Sequence, residues 1–361
     1  MVAQVLDASN EQIFDFRSDT LTSPSDAMRK RMASAEVGDD FYREDPSIRA
    51  LEDLTATILG KEDALFVLSG TMGNLVSIRS QVPSGHSAIV SATSHLHVNE
   101  TGHLASICGI TSQAFSTPGG KFDLGELMNF AKIPSPNAPR SVLTPPLKLI
   151  CVENTHNGEG GRCLDKPYLN QLKRFADERD LIFHMDGARL FNAAVALSVD
   201  PSDLVAPVDS VSFCLSKGLG APGGAMIAGS RDFIEEARHW RQMVGGGMRQ
   251  SGIMAAAGHF ALKENLKRLH EDHSNAKALA LGLDALGFEI AVETVETNIV
   301  MAFLPKELGE PASLHKRLYQ SGVRVLPPKG NRLRFVTHMG LNSDDIEAAL
   351  KVIGRLVEGR S

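Results

Sequence analysis

Two short apolar runs, each ending in a charged residue and each followed by glycine, constrain this chain more than any other feature. The first is Leu181-Ile182-Phe183-His184-Met185-Asp186, followed by Gly187-Ala188-Arg189. The second is Val211-Ser212-Phe213-Cys214-Leu215-Ser216-Lys217, followed by a glycine-rich turn and the apolar run Ala225-Met226-Ile227-Ala228. Apolar segments of this length bounded by glycine predict buried strands, and in α/β sheets ligands bind at the carboxyl ends of the strands. Asp186 and Lys217 are therefore expected to face one crevice. Taken singly, each has an ordinary explanation, a surface lysine and a helix-capping aspartate.

Further strand ends change that balance. Ala64-Leu65-Phe66-Val67-Leu68 predicts a strand running into Ser69-Gly70-Thr71-Met72-Gly73-Asn74, with a helix starting at once. A strand, glycine turn and helix start make an anion site, because free backbone N–H groups and the helix dipole converge there. Alone it reads equally as a tight turn without a ligand; beside Lys217 it reads as a phosphate cup at Gly70, Thr71 and Met72. A desolvated lysine loses its proton readily and its amine attacks a carbonyl. Pyridoxal 5'-phosphate requires those two features together with an acid at its ring nitrogen, the place for Asp186. Two histidines follow other predicted strands. His95, after Ala88-Ile89-Val90, suits a ring face, and His156, after Leu147–Val152, suits a substrate hydroxyl; both also read as hydrogen-bonded loop residues.

His184-Met185-Asp186-Gly187-Ala188-Arg189 and Ser216-Lys217-Gly218-Leu219-Gly220-Ala221-Pro222 resemble the cofactor motifs of the L-threonine aldolases, pyridoxal-phosphate enzymes of the aspartate aminotransferase fold. The resemblance runs from Phe16 to about His338. It implies an α/β, aminotransferase-like (fold type I) architecture with a large, mainly parallel-sheet cofactor domain and a small C-terminal α/β domain. It also implies that Ser18, Arg189 and Arg334 hold a substrate carboxylate and that Tyr42 lies near the cofactor. His95 would cover the ring, and Arg249, in the glycine-rich stretch Gly245–Gly252, would reach across a dimer interface to a partner's cofactor phosphate. Arg43 stands where the family commonly has glycine, and Asn99 where it usually has an aromatic residue. A phenylserine-cleaving member and a tetramer are both compatible with this resemblance.

With 361 residues the chain has length for roughly two domains of about 150 residues. The expected division is a lead-in segment at 1–20, a cofactor domain at 21–280 and a small domain at 281–361. A formal charge of −6 and the lack of a basic run argue against nucleic acid as a partner. No signal peptide and no apolar run approaching the roughly 20 residues of a membrane span are visible. Cys108, Cys151, Cys163 and Cys214 lack paired spacing and read as reduced packing residues of a cytoplasmic protein, with no metal expected. Helices are expected over 24–35, 47–59, 124–133, 231–244 and 312–321, with a last one capped by Ser343 and a proline-rich surface insertion at 134–146. Gly218–Gly223 fits a literal G-x-G-x-x-G, but a strand follows it where a dinucleotide site needs a helix.

The expected substrate is a β-hydroxy amino acid, cleaved by a retro-aldol reaction with His156, His95 or a water as base. The alternatives are β-elimination or transamination with the same cofactor, and a regulatory protein that binds the cofactor without catalysis.

Overall fold

The computed structural model describes residues 12–132 and 141–359. After a two-residue strand, β1 (Phe14–Asp15), the chain builds the strands of a central sheet. They are β2 (Asp63–Val67), β3 (Ser87–Ser91), β4 (Thr111–Phe115), β5 (Leu147–Glu153), β6 (Ile182–Asp186), β7 (Ser210–Cys214) and β8 (Ala225–Gly229). Their order is β2-β8-β7-β6-β5-β3-β4. Strands β4, β3, β5, β6 and β7 run parallel, and β8 is antiparallel to both neighbours.

The period of two along each strand divides the core into two layers. Phe66, Ile89, Ile150, Phe183 and Phe213 pack on one face. Leu65, Val67, Ala88, Val90 and Leu149 pack on the other. Strands β3, β7 and β8 are buried along their whole length, which is why they read as continuous apolar runs. Register then lines up the polar ends, with Glu153 beside Asp186 and Asp186 beside Ser212.

The second charged run ends as a strand earlier than its apolar character suggests. Leu215 N–H turns to the carbonyl of Gly224 at 3.0 Å, and Gly220 N–H closes on the carbonyl of Lys217 at 2.8 Å. Lys217 therefore sits in the tight connection between antiparallel β7 and β8, where any Cβ at Gly224 (φ +93°) would lie 2.5 Å from the Phe66 ring. That hairpin also disposes of the dinucleotide pattern.

A second core forms around β9 (Ile299–Phe303), β10 (Val323–Arg324) and β11 (Arg332–Val336). Strand β11 pairs antiparallel with β9, and β1 runs parallel with β10. Phe14 and Phe16 pack in this core, so the start of the described chain is built into its carboxyl-terminal part. The boundary expected at 280/281 lies inside the continuous helix Leu269–Ala285, whose Ala276, Leu279, Ala280 and Leu283 belong to the second core. The same helix contacts helix Leu190–Leu197 of the large part.

The last helix, Ser343–Glu358, is capped by Asn342 rather than Ser343. Asn342 Oδ1 accepts from Asp345 N–H and Asp345 Oδ2 from Asn342 N–H, both at 3.0 Å, a reciprocal capping box. The expected helix 124–133 closes at Phe130, and the expected insertion at 134–146 falls largely on 133–140, outside the described residues. Residues 1–11 of the expected lead-in segment lie outside them as well. Among the described residues no helix is long and apolar enough to cross a membrane. All four cysteines are free and buried.

Candidate active site

Where the parallel strands end, a cavity of about 530 Å³ opens, lined among others by Ser18, His95, Arg189, Lys217 and Arg334. These five residues, drawn from positions 18 to 334, meet because β3, β6, β7 and β11 deliver their ends or faces to one place.

Asp186, at the end of β6, is buried beneath this cavity. Its Oδ1 accepts from Ala188 N–H at 3.0 Å and its Oδ2 from Asn74 Nδ2 at 2.9 Å. Burial, reinforced by the charges of Glu153 and Glu100, pushes the carboxyl up to about 6, while Lys217 and the Asn74 bond act in the opposite sense. A buried acid so short of positive charge fits the N–H of a protonated pyridine ring.

His95 is half-buried, with Nδ1 2.8 Å from Glu100 Oε1 and its backbone N–H donating to Glu153 Oε2 at 2.7 Å. The bond to Glu100 raises its pKa despite partial burial. Burial opposes ionisation of Glu100, but hydrogen bonds from His103 and His95 outweigh it and hold the carboxyl at about 2. Asn74 Nδ2 donates to Glu100 Oε1 as well, at 2.9 Å, so one amide joins the carboxylate behind the histidine to Asp186. The ligand atoms of His95, Glu100 and Asp186 lie within 4.8 Å of one another, a spacing a metal ion could use, and here this amide links them.

On the facing wall, Arg189 is not an open fork. Its Nε and Nη2 donate to the two oxygens of buried Asp19 at 2.6 and 2.7 Å. Burial opposes the charge on Asp19, and Arg189 overcomes it, leaving the carboxyl well below the usual range. Only Arg189 Nη1 remains, 3.5 Å from Asn157 Oδ1. Arg334 Nη1 donates to the same oxygen at 2.7 Å and Nη2 to the carbonyl of Arg17 at 3.1 Å, while its buried Nε has no partner. Burial and the neighbouring Arg189 push Arg334 down to about 10. Among the described residues this guanidinium pairs with no carboxylate, and it lines the cavity.

Strand β2 runs through a short turn into a helix start, the local form expected there. Ser69 Oγ accepts from Met72 N–H at 3.2 Å and opens helix Gly70–Gln81. A Cβ at Gly70 would lie 2.5 Å from Cys214 Sγ, and one at Gly246 would lie 2.4 Å from Met72 Sδ. Only glycine lets this helix start seat against the end of β7, three residues before Lys217. Lysine, buried acid, ring histidine and helix start together fit pyridoxal phosphate.

Of the expected site residues, Gly70, Thr71, Met72 and Asp186 are not part of the cavity lining, and His156, Tyr42 and Arg249 lie elsewhere in their own chain. His156 is fully buried, with Nε2 3.0 Å from Ser91 Oγ, because its strand-end loop folds back over β3 and Gly120 closes against its ring. It is not among the residues that line the cavity. Tyr42 is 66% exposed and stacks edge-on with exposed Phe41. Arg249 lies over the Phe41 ring and 3.4 Å from Asp39, its side chain 61% exposed. Arg43, next to Tyr42, takes the left-handed φ +61°.

Asp19, Asn74 and Asn157 had no local signal in the sequence. Their neighbours are polar loop or helix-start residues, and their partners lie far along the chain.

The profile of the family described as "Beta-eliminating lyase" matches residues 15–307. "Low-specificity L-threonine aldolase 1" of Arabidopsis thaliana is 43% identical over 342 residues, covering 93% of this chain and 94% of its own. The low specificity L-threonine aldolase of Escherichia coli K12 is 38% identical over 92% of this chain and 96% of its own. Among solved structures, Leishmania major threonine aldolase superposes with a TM-score of 0.81 at 21% identity, covering 95% of this chain and 99% of its own. A chain described as SPT with PLP gives 0.74 at 18% identity, covering 99% and 91%. These superpositions bear out the expected fold, and the chain belongs to the L-threonine aldolase family of pyridoxal-phosphate enzymes, within the beta-eliminating lyases.

Proposed function

We propose that the chain cleaves L-β-hydroxy-α-amino acids to glycine and an aldehyde, with L-threonine or L-allo-threonine as the simplest substrates and phenylserine within its range. The observation that carries this reading is Arg334, half-buried, without a carboxylate partner among the described residues, and lining the same cavity as Lys217 and His95. It supplies what the α-carboxylate of an amino acid needs, a desolvated guanidinium that forms a charge-assisted hydrogen bond.

Lys217 holds the cofactor, Asp186 sustains the proton on its ring nitrogen, and the helix start at Gly70, Thr71 and Met72 receives its phosphate. When bound, pyridoxal phosphate supplies an electron sink for whichever Cα bond stands perpendicular to its ring. Arg334, Arg189 Nη1 and Ser18 choose that bond by fixing the carboxylate. His95 covers the ring and takes the proton of the β-hydroxyl. Its Nδ1 is engaged by Glu100, leaving Nε2 for the substrate. The raised pKa of His95 suits it to carry that proton near neutral pH and to return it.

Exposed Phe41, Tyr42 and Met248 beside Arg249 support a dimer in which Tyr42 and Arg249 complete the partner's site. Pairing of such dimers into a tetramer is in keeping with the further exposed apolar residues Ile107 and Ile253. Four free cysteines favour the reducing cytoplasm.

Incubation with L-threonine, L-allo-threonine and L-phenylserine, with aldehyde and glycine quantified beside a Lys217→Ala control, tests the reading. Stoichiometric aldehyde and glycine, lost in the control, is the expected result. Ammonia or a keto acid in their place overturns it in favour of elimination or transamination.

A further inference from the structure

The cavity carries more positive charge than one amino acid and its cofactor require. Lys217 is assigned to the cofactor, and Arg334 with Arg189 to the α-carboxylate. Arg332 stands two residues before Arg334 on β11, so both side chains leave the same face of the strand, and its charge bears on Arg334. Lys329 faces Arg332 across a tight hairpin tip, each backbone N–H donating to the other's carbonyl at 3.0 and 3.1 Å. Both side chains line the cavity. Among the described residues no carboxylate forms an ion pair with either of them.

The carboxylates on the cavity wall are already engaged. Glu153 accepts from Asn157 N–H at 2.8 Å and from His95 N–H at 2.7 Å. Glu159 accepts from Thr93 Oγ1 at 3.1 Å and from Gly119 N–H at 3.2 Å, which ties it to the β3 side. Beside the two unpaired cations the wall is apolar, formed by Met301, Leu326 and Pro327, with Asn99 as a neutral polar residue of the same cavity. A short apolar stretch followed by a cationic pair calls for an occupant of the inverse pattern.

We propose that the preferred substrates are β-hydroxy amino acids whose β substituent is an apolar spacer ending in a carboxylate, which Lys329 and Arg332 bind. This rests on the aldol reading of the site. In the reaction the Cα–Cβ bond breaks, the β-hydroxyl loses its proton as the aldehyde forms, and Cα gains a proton to give glycine. The distal carboxylate passes unchanged into the aldehyde, and no oxidant or reductant is needed.

The test compares 4-carboxyphenylserine with 4-methylphenylserine on the holoenzyme, with L-threonine in parallel, in the wild type and in Arg332→Gln, Lys329→Gln and Arg332→Glu. The readout is the ratio of kcat/KM for the carboxy over the methyl compound, so a general loss of activity cancels, and differences between variants cancel the intrinsic reactivity of the two compounds. We expect a wild-type ratio of about ten at low salt, reduced by added salt, and a several-fold smaller ratio in each Gln variant. In Arg332→Glu the ratio should fall below one. A wild-type ratio near one, or a ratio that Arg332→Glu leaves unchanged, overturns the proposal. Failure to cleave threonine and both phenylserines alike would instead count against the aldol reading itself.

Discussion

Asp186 shares its end of the sheet with Glu153 and Glu100, and the amide of Asn74 is the neutral group that separates it from Glu100. Its carboxyl is raised from 3.8 to about 6, so the folded protein holds this proton more tightly than the unfolded chain does. For the cofactor-free protein, this group then makes stability fall as pH rises between about 4 and 6, by of order 2–3 kcal/mol, with no further change above. Asp186→Asn should remove that slope in urea unfolding followed at several pH values. Cofactor binding should bring the carboxyl back down, visible in its 13C chemical shift, because a ring N–H replaces the missing positive charge beside Glu153, Glu100 and Lys217. The histidines separate in the same way. His95→Asn should lower kcat by roughly 10²-fold or more, the range of general base catalysis, with KM little changed. His156→Asn should lower thermal stability more than turnover, since its ring packs against Gly120 and Ser91 rather than the cavity.

At the scale of elements, the seating of one helix controls the cup. Gly70→Ala puts a methyl where Cys214 Sγ already lies, 2.5 Å away, and should cost about 1–3 kcal/mol through displacement of the helix start. The displacement should weaken cofactor binding, and Cys214→Ala, by vacating the sulfur's place, should restore much of it; absorbance titration of cofactor into both variants measures this. Buried elements were the ones legible in the sequence. Strands β3, β5, β6 and β8 are continuous apolar runs, and the cup and Lys217 follow from where they stop. Edge strand β4, Thr-Ser-Gln-Ala-Phe, has no fully buried residue and carries no such run. The extent of β7 was misread because Leu215 is as buried as the strand yet belongs to the turn. Asp19, the partner of Arg189 across 170 residues, follows Asp15 in a short mixed stretch, and no local pattern ties it to an arginine so distant. The roles of Tyr42 and Arg249 rest on resemblance alone; their own chain leaves them at the surface.

For the whole molecule, the decisive question is whether one chain suffices for one site. Lys217→Ala and Arg249→Ala subunits, each impaired alone, should regain about a quarter of wild-type activity when mixed and refolded together, because half of the dimers then hold one complete site. Lack of any recovery would assign Arg249 to its own chain or to no site at all. Within a single chain, Arg189 precedes helix Leu190–Leu197 of the large part and Arg334 lies on β11 of the second, and among the described residues the side-chain Oδ1 of Asn157 is the acceptor they share. On the proposed reading, a carboxylate laid between the two guanidinium groups would replace that thin contact with a rivet. The amino acid is then a structural part of the enzyme while it is bound. Saturating glycine on the holoenzyme should slow amide exchange in β11 and along helix Leu269–Ala285, and each release of product would loosen the same seam.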